Sequence, residues 1–235
     1  MLERLELLFK DKVELIKQTT VMIIGLGGVG SYALEAIVRS GVNKIIVVDN
    51  DFIDITNLNR QLLALKNNIN DAKVIVAKKR ILDINPNCEV ITIKEFITKD
   101  NIDQLFALKP DYIIDAIDTI ETKKQIIKEC LNRHIKFISA MGTANKTDPT
   151  KLEIIDIRKT SYDPIAKIIR KTVKDLKTNE KVMVVCSKEQ PKIKDALGSN
   201  AYVPSVAGLL CASYVINDIV GEIDERHWKT FERNS

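Results

Sequence analysis

Short apolar runs alternate with longer amphipathic segments along the first part of the chain. Five runs have the length of a strand and are too short for a helix, and they lie at residues 21–24, 45–48, 89–93, 112–115 and 136–139. Four segments carry apolar residues at helical spacing, and they lie at residues 3–17, 29–40, 71–84 and 121–133. Strands that alternate with helices predict right-handed crossovers and a parallel sheet with helices on both faces.

The alternation becomes less regular in the second part of the chain, which begins with a polar loop. Residues 152–157 and 181–186 predict two further strands, and residues 205–220 predict an apolar final helix. Residues 165–177 predict a basic helix. Because no repeat or low-complexity linker intervenes, the sequence predicts one α/β domain over residues 1–235, with a mixed sheet whose N-terminal half is parallel.

Composition narrows the class of protein. Of the 235 residues, 45% are apolar, which is enough for a sizeable core, and no stretch approaches the roughly 20 apolar residues of a membrane helix. The N-terminus lacks the features of a secretory signal, so we expect a cytoplasmic protein without a membrane partner. A net charge of +4 does not decide nucleic-acid binding, which depends on clustered basic residues.

The cysteines argue against a metal or redox site. They are Cys88, Cys130, Cys186 and Cys211, and no two of them form a C-x-x-C pair. This spacing does not fit a zinc ribbon or a dithiol redox centre. Cys186 ends an apolar run and Cys211 lies in the apolar final helix, so we expect both to be core thiols.

A glycine motif follows the first predicted strand. Gly25, Gly27, Gly28 and Gly30 fit the pattern G-x-G-x-x-G between a strand and a helix. Glycines there permit a tight turn and let backbone N–H groups approach phosphate oxygens, although a turn without a ligand is the alternative. Asp49 ends the second strand, where a carboxylate can accept hydrogen bonds from ribose hydroxyls. Proteins that bind NAD, FAD or ATP all use these features.

The segment after Asp49 distinguishes these nucleotides. It places polar and cationic groups in the connection after the second strand, where a dehydrogenase needs no such groups. A triphosphate carries more negative charge than a pyrophosphate, so its site needs Arg and Lys as well as backbone donors. Arg60 and Lys73 would supply these charges. The alternative for either residue alone is a solvated surface charge.

Four segments in this order resemble a known family. They are VMIIGLGGVGSYALEAIVRSGV, VVDNDFIDITNLNRQ, AKVIVAKKRILDINPNC and DYIIDAIDTIETK. They are similar to the ThiF-type adenylation domain that ubiquitin-activating enzymes share with bacterial molybdopterin- and thiamine-pathway adenylyltransferases. The resemblance implies a Rossmann-like ATP-binding fold. Residues 1–145 would form its nucleotide-binding half and residues 146–235 its substrate-side half.

The same resemblance implies roles for individual residues. The glycine loop and Asp51 would contact ATP, and Asp49 would hold its ribose. The implied phosphate and metal ligands are Asn57, Arg60 and Gln61 along the phosphates, Lys73 at the phosphate where transfer occurs, and Asp118 at Mg²⁺. Arg60, Lys73 and Asp118 would thus act in catalysis.

An arginine from the second subunit reaches the γ-phosphate in this superfamily. Arg4, on the predicted N-terminal helix, is the matching position and a further implied catalytic residue. If Arg4 has this role, the working unit is a homodimer. The alternative is a surface arginine on an amphipathic helix.

The second half resembles one branch of the superfamily. GTANKTDPT, DIRKTSYDPIAKIIRK and GSNAYVPSVAGLLCASYVINDIVG are similar to segments of the tRNA threonylcarbamoyladenosine dehydratase family. The resemblance implies that ATP activates the carboxylate of a threonylcarbamoyl group on tRNA, and that an internal nitrogen then closes a ring with overall loss of water. It also implies a monovalent cation, Na⁺ or K⁺, held by loop carbonyls, and cysteine desulfurase or sulfur-acceptor proteins as partners.

The predicted basic helix is a candidate tRNA contact. Its basic residues are Lys167, Arg170, Lys171, Lys174 and Lys177, which share one face opposite an apolar face of Ile165, Ile168, Ile169, Val173 and Leu176. Such a basic face suits a nucleic-acid backbone, although most basic helical faces are merely solvated. Asp163 precedes Pro164 at the start of this helix and is expected to cap it.

Three other functions remain open at this point. The first is activation of a ubiquitin-like sulfur carrier, although the paired zinc-binding cysteines common in such adenylyltransferases are missing. The second is a nicotinamide oxidoreductase, which would use the glycine loop and Asp49 but leave Arg60, Lys73 and Asp118 without a role. The third is a docking module that binds ATP without releasing pyrophosphate.

Overall fold

The apolar runs form strands and the amphipathic segments form helices, as their spacing predicts. The computed structural model describes residues 1–193 and 196–221. Its strands are β1 Thr20–Ile24, β2 Lys44–Val48, β3 Glu89–Ile93, β4 Tyr112–Asp115, β5 Lys136–Ala140, β6 Leu152–Asp156 and β7 Met183–Ser187. Its α-helices are α1 Glu3–Phe9, α2 Val13–Gln18, α3 Gly30–Arg39, α4 Lys73–Ile84, α5 Asp103–Ala107, α6 Ile120–Asn132, α7 Pro164–Asp175 and α8 Tyr202–Ile219.

The described strands form one seven-stranded sheet in the order β3-β2-β1-β4-β5-β7-β6. Every neighbouring pair is parallel except β6 and β7, which are antiparallel. The predicted mixed sheet with a parallel N-terminal half is therefore confirmed. β2 lies on one side of β1 and β4 on the other, so the strand order reverses at β1. Rossmann-like sheets bind their ligands at such a reversal.

Successive residues of each central strand pack into two separate cores. Val21 and Ile23 face the core that contains α3, α4 and α8, whereas Met22 and Ile24 face the core that contains α5, α6 and α7. All four side chains are at most 2% exposed. Complete burial of such a side chain stabilises the fold by about 1.5–3 kcal/mol. The apolar runs are continuous because both faces of the sheet are covered.

The structure differs from the predicted helices at two places. The single helix predicted for residues 3–17 is wrong, because Lys10 adopts a φ of 53° and ends α1. A 3₁₀ turn then leads into α2. The short helix α5 was not predicted, since its five residues are too few to show a helical period. In contrast, Gly41 terminates α3 with a φ of 92°, as expected for a glycine after a helix.

The final helix α8 is a core element of the fold. By length and composition it could also cross a membrane, a property shared by core helices of soluble proteins. Here it packs on α3 so tightly that a Cβ at Gly208 would lie 2.2 Å from the backbone oxygen of Val29. Because Val29 belongs to the glycine loop region, α8 helps to fix that loop against the sheet.

Candidate active site

A cleft of about 1280 Å³ opens at the carboxyl ends of β1, β2, β4 and β5. Its walls include the loops that follow these strands and β3, together with Ile165 on α7, the start of α8 and residues 197–199. Loops at this edge of a parallel sheet carry the ligand sites of α/β proteins. The predicted site residues that line the cleft are Gly25, Gly27, Gly28, Asp49, Asp51, Asn57, Arg60, Gln61, Lys73 and Asp118.

Two predicted site residues do not line this cleft. Arg4 is exposed on α1 and is not part of the cleft wall of its own chain. Gly30 lies behind the glycine loop, where a Cβ would come within 1.7 Å of the backbone oxygen of Gly25. Gly30 therefore allows α3 to start directly against the loop, which is a packing role rather than a ligand contact.

The glycines that do line the cleft differ in what surrounds them. Gly25 has a φ of 89°, and a Cβ there would lie 2.8 Å from the backbone oxygen of Ala116. At Gly27 the nearest atom to an added Cβ is Gln61 Nε2 at 3.9 Å, so this position opens onto free space. The loop thus presents bare backbone at the N-terminus of α3, the arrangement that binds phosphate groups.

Asp49 joins the end of β2 to the glycine loop. Its side chain is 7% exposed. Oδ2 accepts a hydrogen bond of 2.6 Å from the Leu26 amide, and Oδ1 accepts one of 2.8 Å from the Asp51 amide. A carboxylate has about four acceptor sites, so Asp49 retains capacity for further donors such as ribose hydroxyls.

Lys73 brings a cation to the cleft wall at the first residue of α4. Its side chain is 6% exposed, and Nζ lies 2.9 Å from Asp51 Oδ2 and 4.0 Å from Asp49 Oδ2. Two carboxylates therefore hold the ammonium in place at the cleft. The Asp51 side chain is 58% exposed, so this ion pair is open to competition from an anionic ligand.

Arg60 lies on the segment between β2 and α4. Its Nη1 donates to the Thr56 backbone oxygen at 2.8 Å and to Asn59 Oδ1 at 2.9 Å. These bonds fix the guanidinium through one nitrogen. Among the residues that the structure describes, Nε and Nη2 of Arg60 have no hydrogen-bond partner, so they can face phosphate oxygens.

The two buried amides beside Arg60 have different surroundings. Asn57 Oδ1 accepts a hydrogen bond of 3.1 Å from the Asp54 amide and so stabilises the turn that carries Arg60. Gln61 is 8% exposed, and its Oε1 is buried without a hydrogen-bond partner in the described part of the chain. An unsatisfied buried acceptor costs about 1–3 kcal/mol, so a hydrogen-bond donor that reached this oxygen would stabilise the site.

Asp118 is the candidate metal ligand. It is exposed at the cleft, three residues beyond the end of β4. The described residues include no group of three or more His, Cys, Asp or Glu side chains that could hold a metal ion. Mg²⁺ does not need such a group, because it commonly binds one or two carboxylates together with substrate phosphates and water. Asp118 therefore fits a magnesium ion that arrives with a nucleotide.

A buried network beneath the cleft was not predicted. Lys123 on α6 is 0% exposed, and its Nζ donates to Asp115 Oδ2 at 2.9 Å, Ser139 Oγ at 3.1 Å and the Ala140 backbone oxygen at 3.0 Å. These contacts connect the ends of β4 and β5 just before the loops that line the cleft. Lys123 lies three residues before Ile126, on the apolar face of α6. This spacing was the signal in the sequence that Lys123 is buried.

A second buried pair anchors α7 to the cleft. Asp163 caps α7 through a hydrogen bond of 2.8 Å from the Ala166 amide, which confirms its predicted capping role. Its Oδ2 also lies 2.7 Å from Lys146 Nζ, and Lys146 donates to the Gly142 backbone oxygen at 2.6 Å. Gly142 lines the cleft. Lys146 was missed because it stands in a polar loop without periodicity.

The cysteines are core thiols, as predicted. All four are buried. Burial raises the pKa of both Cys186 and Cys211 to about 12, so neither forms an appreciable thiolate near neutral pH. No cysteine is among the residues that line the cleft, so its wall offers no thiol nucleophile.

Comparisons with known proteins agree with this geometry. The ThiF family model matches residues 2–233. A tRNA threonylcarbamoyladenosine dehydratase from Bacillus subtilis (strain 168) is 45% identical over 239 residues, covering 94% of this chain and 94% of that protein. Crystal structures of the E. coli tRNA N6-threonylcarbamoyladenosine dehydratase TcdA, one with ATP and one with AMP, match with a TM-score of 0.87. Each is 32% identical and covers 92% of both chains.

These matches extend over both halves of the chain, as does the sheet on which the cleft is built. A more distant structure, E. coli MccB with ATP, is 23% identical with a TM-score of 0.64 and shares the fold alone. The chain belongs to the ThiF family, in its group of tRNA threonylcarbamoyladenosine dehydratases.

Proposed function

We propose that this chain is an enzyme that uses ATP to dehydrate threonylcarbamoyladenosine in tRNA through a carboxylate-AMP intermediate. The observation that carries the proposal is the composition of one cleft, which combines a bare glycine loop, the cations Arg60 and Lys73 and the exposed carboxylate of Asp118. These groups suit a triphosphate bound beside a second, anionic substrate. The relatives that match over most of this chain carry the name of this reaction.

In the proposed first step, a carboxylate oxygen of the threonylcarbamoyl group attacks the α-phosphorus of ATP. The bond to the β-phosphate oxygen breaks and pyrophosphate leaves. The glycine loop would bind phosphate oxygens through backbone N–H groups, and Asp49 would hold the ribose. Arg60, Lys73 and Gln61 would donate to the phosphates as charge develops on them. Mg²⁺ bound by Asp118 would add positive charge at the phosphates.

In the proposed second step, the adenine nitrogen that bears the threonylcarbamoyl group attacks the activated carbonyl carbon. A ring closes, AMP leaves with the former carboxylate oxygen, and the nitrogen loses its proton. The overall change is the loss of one water from the nucleoside. This step needs no external nucleophile, in agreement with the burial of all four thiols.

We propose a homodimer in which Arg4 completes the site of the partner subunit. Arg4 is exposed on α1, and the neighbouring Leu7 and Leu8 are 83% and 69% exposed. Exposed leucines beside an exposed arginine suit an interface with a second copy. We further propose a monovalent cation held by loop carbonyls and a cytoplasmic location. We also propose cysteine desulfurase or sulfur-acceptor proteins as partners. Because the four cysteines of this chain are buried, these partners would dock on it without transferring sulfur to it.

The direct test incubates the protein with ATP, Mg²⁺ and tRNA that carries threonylcarbamoyladenosine. We expect the nucleoside to lose the mass of one water only when ATP is present. The rival function, activation of a ubiquitin-like sulfur carrier, predicts pyrophosphate release that depends on such a carrier and not on modified tRNA. An intact nucleoside in the complete reaction would refute the proposed function.

Arg60→Ala tests the role of the guanidinium. Removal of one preorganised donor at a transition state commonly lowers the rate by roughly 10²–10³, and we expect a loss of this size in dehydration. Arg39→Ala is the matched control, because Arg39 is 59% exposed in a surface ion pair with Glu35 away from the cleft. Near-normal turnover by the folded Arg60→Ala enzyme would contradict the assigned role.

A further inference from the structure

We propose that the exposed face of α7 is a track for the tRNA backbone, leading from the cleft to a second, basic cavity. The inference rests on the proposed function, since it concerns how the same substrate is held. Three features of α7 support it: the charges on the helix, the positions of its two ends and its attachment to the cleft.

The first observation is the distribution of free charge on α7. Lys167, Lys171 and Lys174 fall within about 60° of one another around the helix axis, given 3.6 residues per turn. All three are exposed, and within the described ranges none has a side-chain hydrogen bond or ion pair. In contrast, Lys151 and Lys188 on neighbouring elements are each paired with an acidic side chain. The three α7 lysines are therefore available to external anions.

The second observation is the position of the helix ends. At the N-terminal end, Ile165 lines the main cleft. At the C-terminal end, a cavity of about 400 Å³ is lined by Arg158, Arg170, Lys174 and Lys177 together with polar and apolar neighbours. Twelve residues of helix span roughly 18 Å. The lysine face therefore connects the candidate reaction site with a distant basic cavity.

The third observation is that α7 is firmly attached to the cleft. Asp163 both caps the helix and pairs with Lys146, which in turn holds the backbone oxygen of Gly142 in the cleft wall. The Asp163 and Lys146 side chains are 0% and 1% exposed. Through this pair, a backbone bound on α7 would lie at a fixed distance from the nucleoside in the cleft.

The chemistry of the second cavity favours a polymer backbone over a specific small anion. Arg158 donates to the Thr178 and Glu180 backbone oxygens, and Arg170 donates to Thr160. The guanidinium groups are thus engaged within the protein, and the mobile charges are lysines, which act as point charges without a fixed geometry. Lysines spread along a surface suit successive phosphates, whose binding depends on charge more than on orientation.

The proposed substrate also favours a basic surface that begins at the cleft. A nucleoside that is modified within a tRNA loop is splayed into the cleft while its backbone continues outside. That backbone needs a cationic surface that starts at the cleft. The exposed face of α7 starts at the cleft and carries Lys167, Lys171 and Lys174, which have no side-chain partner among the described residues.

The test is the salt dependence of tRNA binding. The variant replaces Lys167, Lys171 and Lys174 with Gln, which removes three charges while keeping good helix formers. Each lost phosphate contact reduces the slope of log K against log salt by roughly 0.7–0.9, so we expect a slope smaller by roughly 2.1–2.7 and weaker binding at low salt. The measurement uses modified tRNA without ATP, so it reports binding alone.

A matched control removes the same number of charges elsewhere. Lys66, Lys78 and Lys79 are exposed; Lys78 and Lys79 lie on α4, which packs on the opposite face of the sheet, and Lys66 lies on the 3₁₀ turn that precedes this helix. Their replacement with Gln should leave the slope unchanged. An unchanged slope in the α7 variant, or an equal reduction in the control, would overturn the proposal. Failure of the wild-type protein to dehydrate modified tRNA would refute the proposed function instead, and the slope would still be measurable.

Discussion

The four glycines after β1 match one motif but have separate physical roles. Gly27 faces open space in the cleft, whereas Gly30 is pressed against the backbone oxygen of Gly25. A side chain at Gly27 would therefore occupy the volume of a ligand, and a side chain at Gly30 would displace the protein itself. The motif predicts a phosphate loop but does not separate these roles, because they depend on the path of the chain around each glycine.

Replacing these two glycines with alanine should separate binding from stability. For Gly27→Ala, the added Cβ would keep a phosphate oxygen from the loop amides; loss of one charge-assisted hydrogen bond of about 1.5–3 kcal/mol predicts about 10- to 150-fold weaker ATP binding with an unchanged free energy of unfolding. For Gly30→Ala, overpacking predicts a loss of about 1–3 kcal/mol or more in that free energy. ATP titration and urea unfolding measure the two effects. Wild-type ATP affinity in Gly27→Ala would argue against phosphate binding at this loop.

At the scale of elements, α7 depends on a buried ion pair that stands at its first turn. Asp163 satisfies the Ala166 amide and the Lys146 ammonium at the same time. Loss of its carboxylate would leave a cation buried without a counter-charge, which commonly costs about 3–5 kcal/mol. The stability of α7 therefore depends on a residue of the loop after β5 as much as on its own sequence.

The chain offers a matched pair of Asp-Pro caps to test this point. Asp163 and Asp148 each precede a proline and each cap a helical turn, but the Asp148 side chain is 38% exposed and its pairing with Lys151 is loose at 3.8 Å. Asp163→Ala should lower the free energy of unfolding by about 3–5 kcal/mol, and Asp148→Ala by about 0.5–2 kcal/mol. Urea denaturation compares them, and equal losses would show that the buried pair adds nothing beyond capping.

The elements that could be predicted from sequence are those with a strong local period. The strands at 21–24 and 45–48 are continuous apolar runs, and α3 has both a helical period and a terminating glycine at Gly41. The break at Lys10 and the short helix α5 have no such signal. Lys123 and Lys146 were missed for a related reason, because their partners lie on other elements and only the folded chain brings them together.

At the scale of the whole molecule, one sheet joins the strands of residues 1–145 to the strands that follow them. Strands β6 and β7 from the second half extend the sheet beyond β5, and α8 returns to pack on α3 beside the glycine loop. We propose from this shared sheet that the described residues, 1–193 and 196–221, form one domain. The cleft draws its walls from both parts of the chain, so the proposed nucleotide and substrate sites would share one continuous framework.

In the proposed reaction the cleft activates a carboxylate by transferring AMP to it. The most direct test uses tRNA whose threonylcarbamoyl carboxylate carries ¹⁸O, incubated with the protein, ATP and Mg²⁺. Because the carboxylate oxygen that attacks the α-phosphorus leaves with AMP after ring closure, mass analysis should find one ¹⁸O in the AMP that is released. Unlabelled AMP, or ADP with the label in inorganic phosphate, would contradict the account.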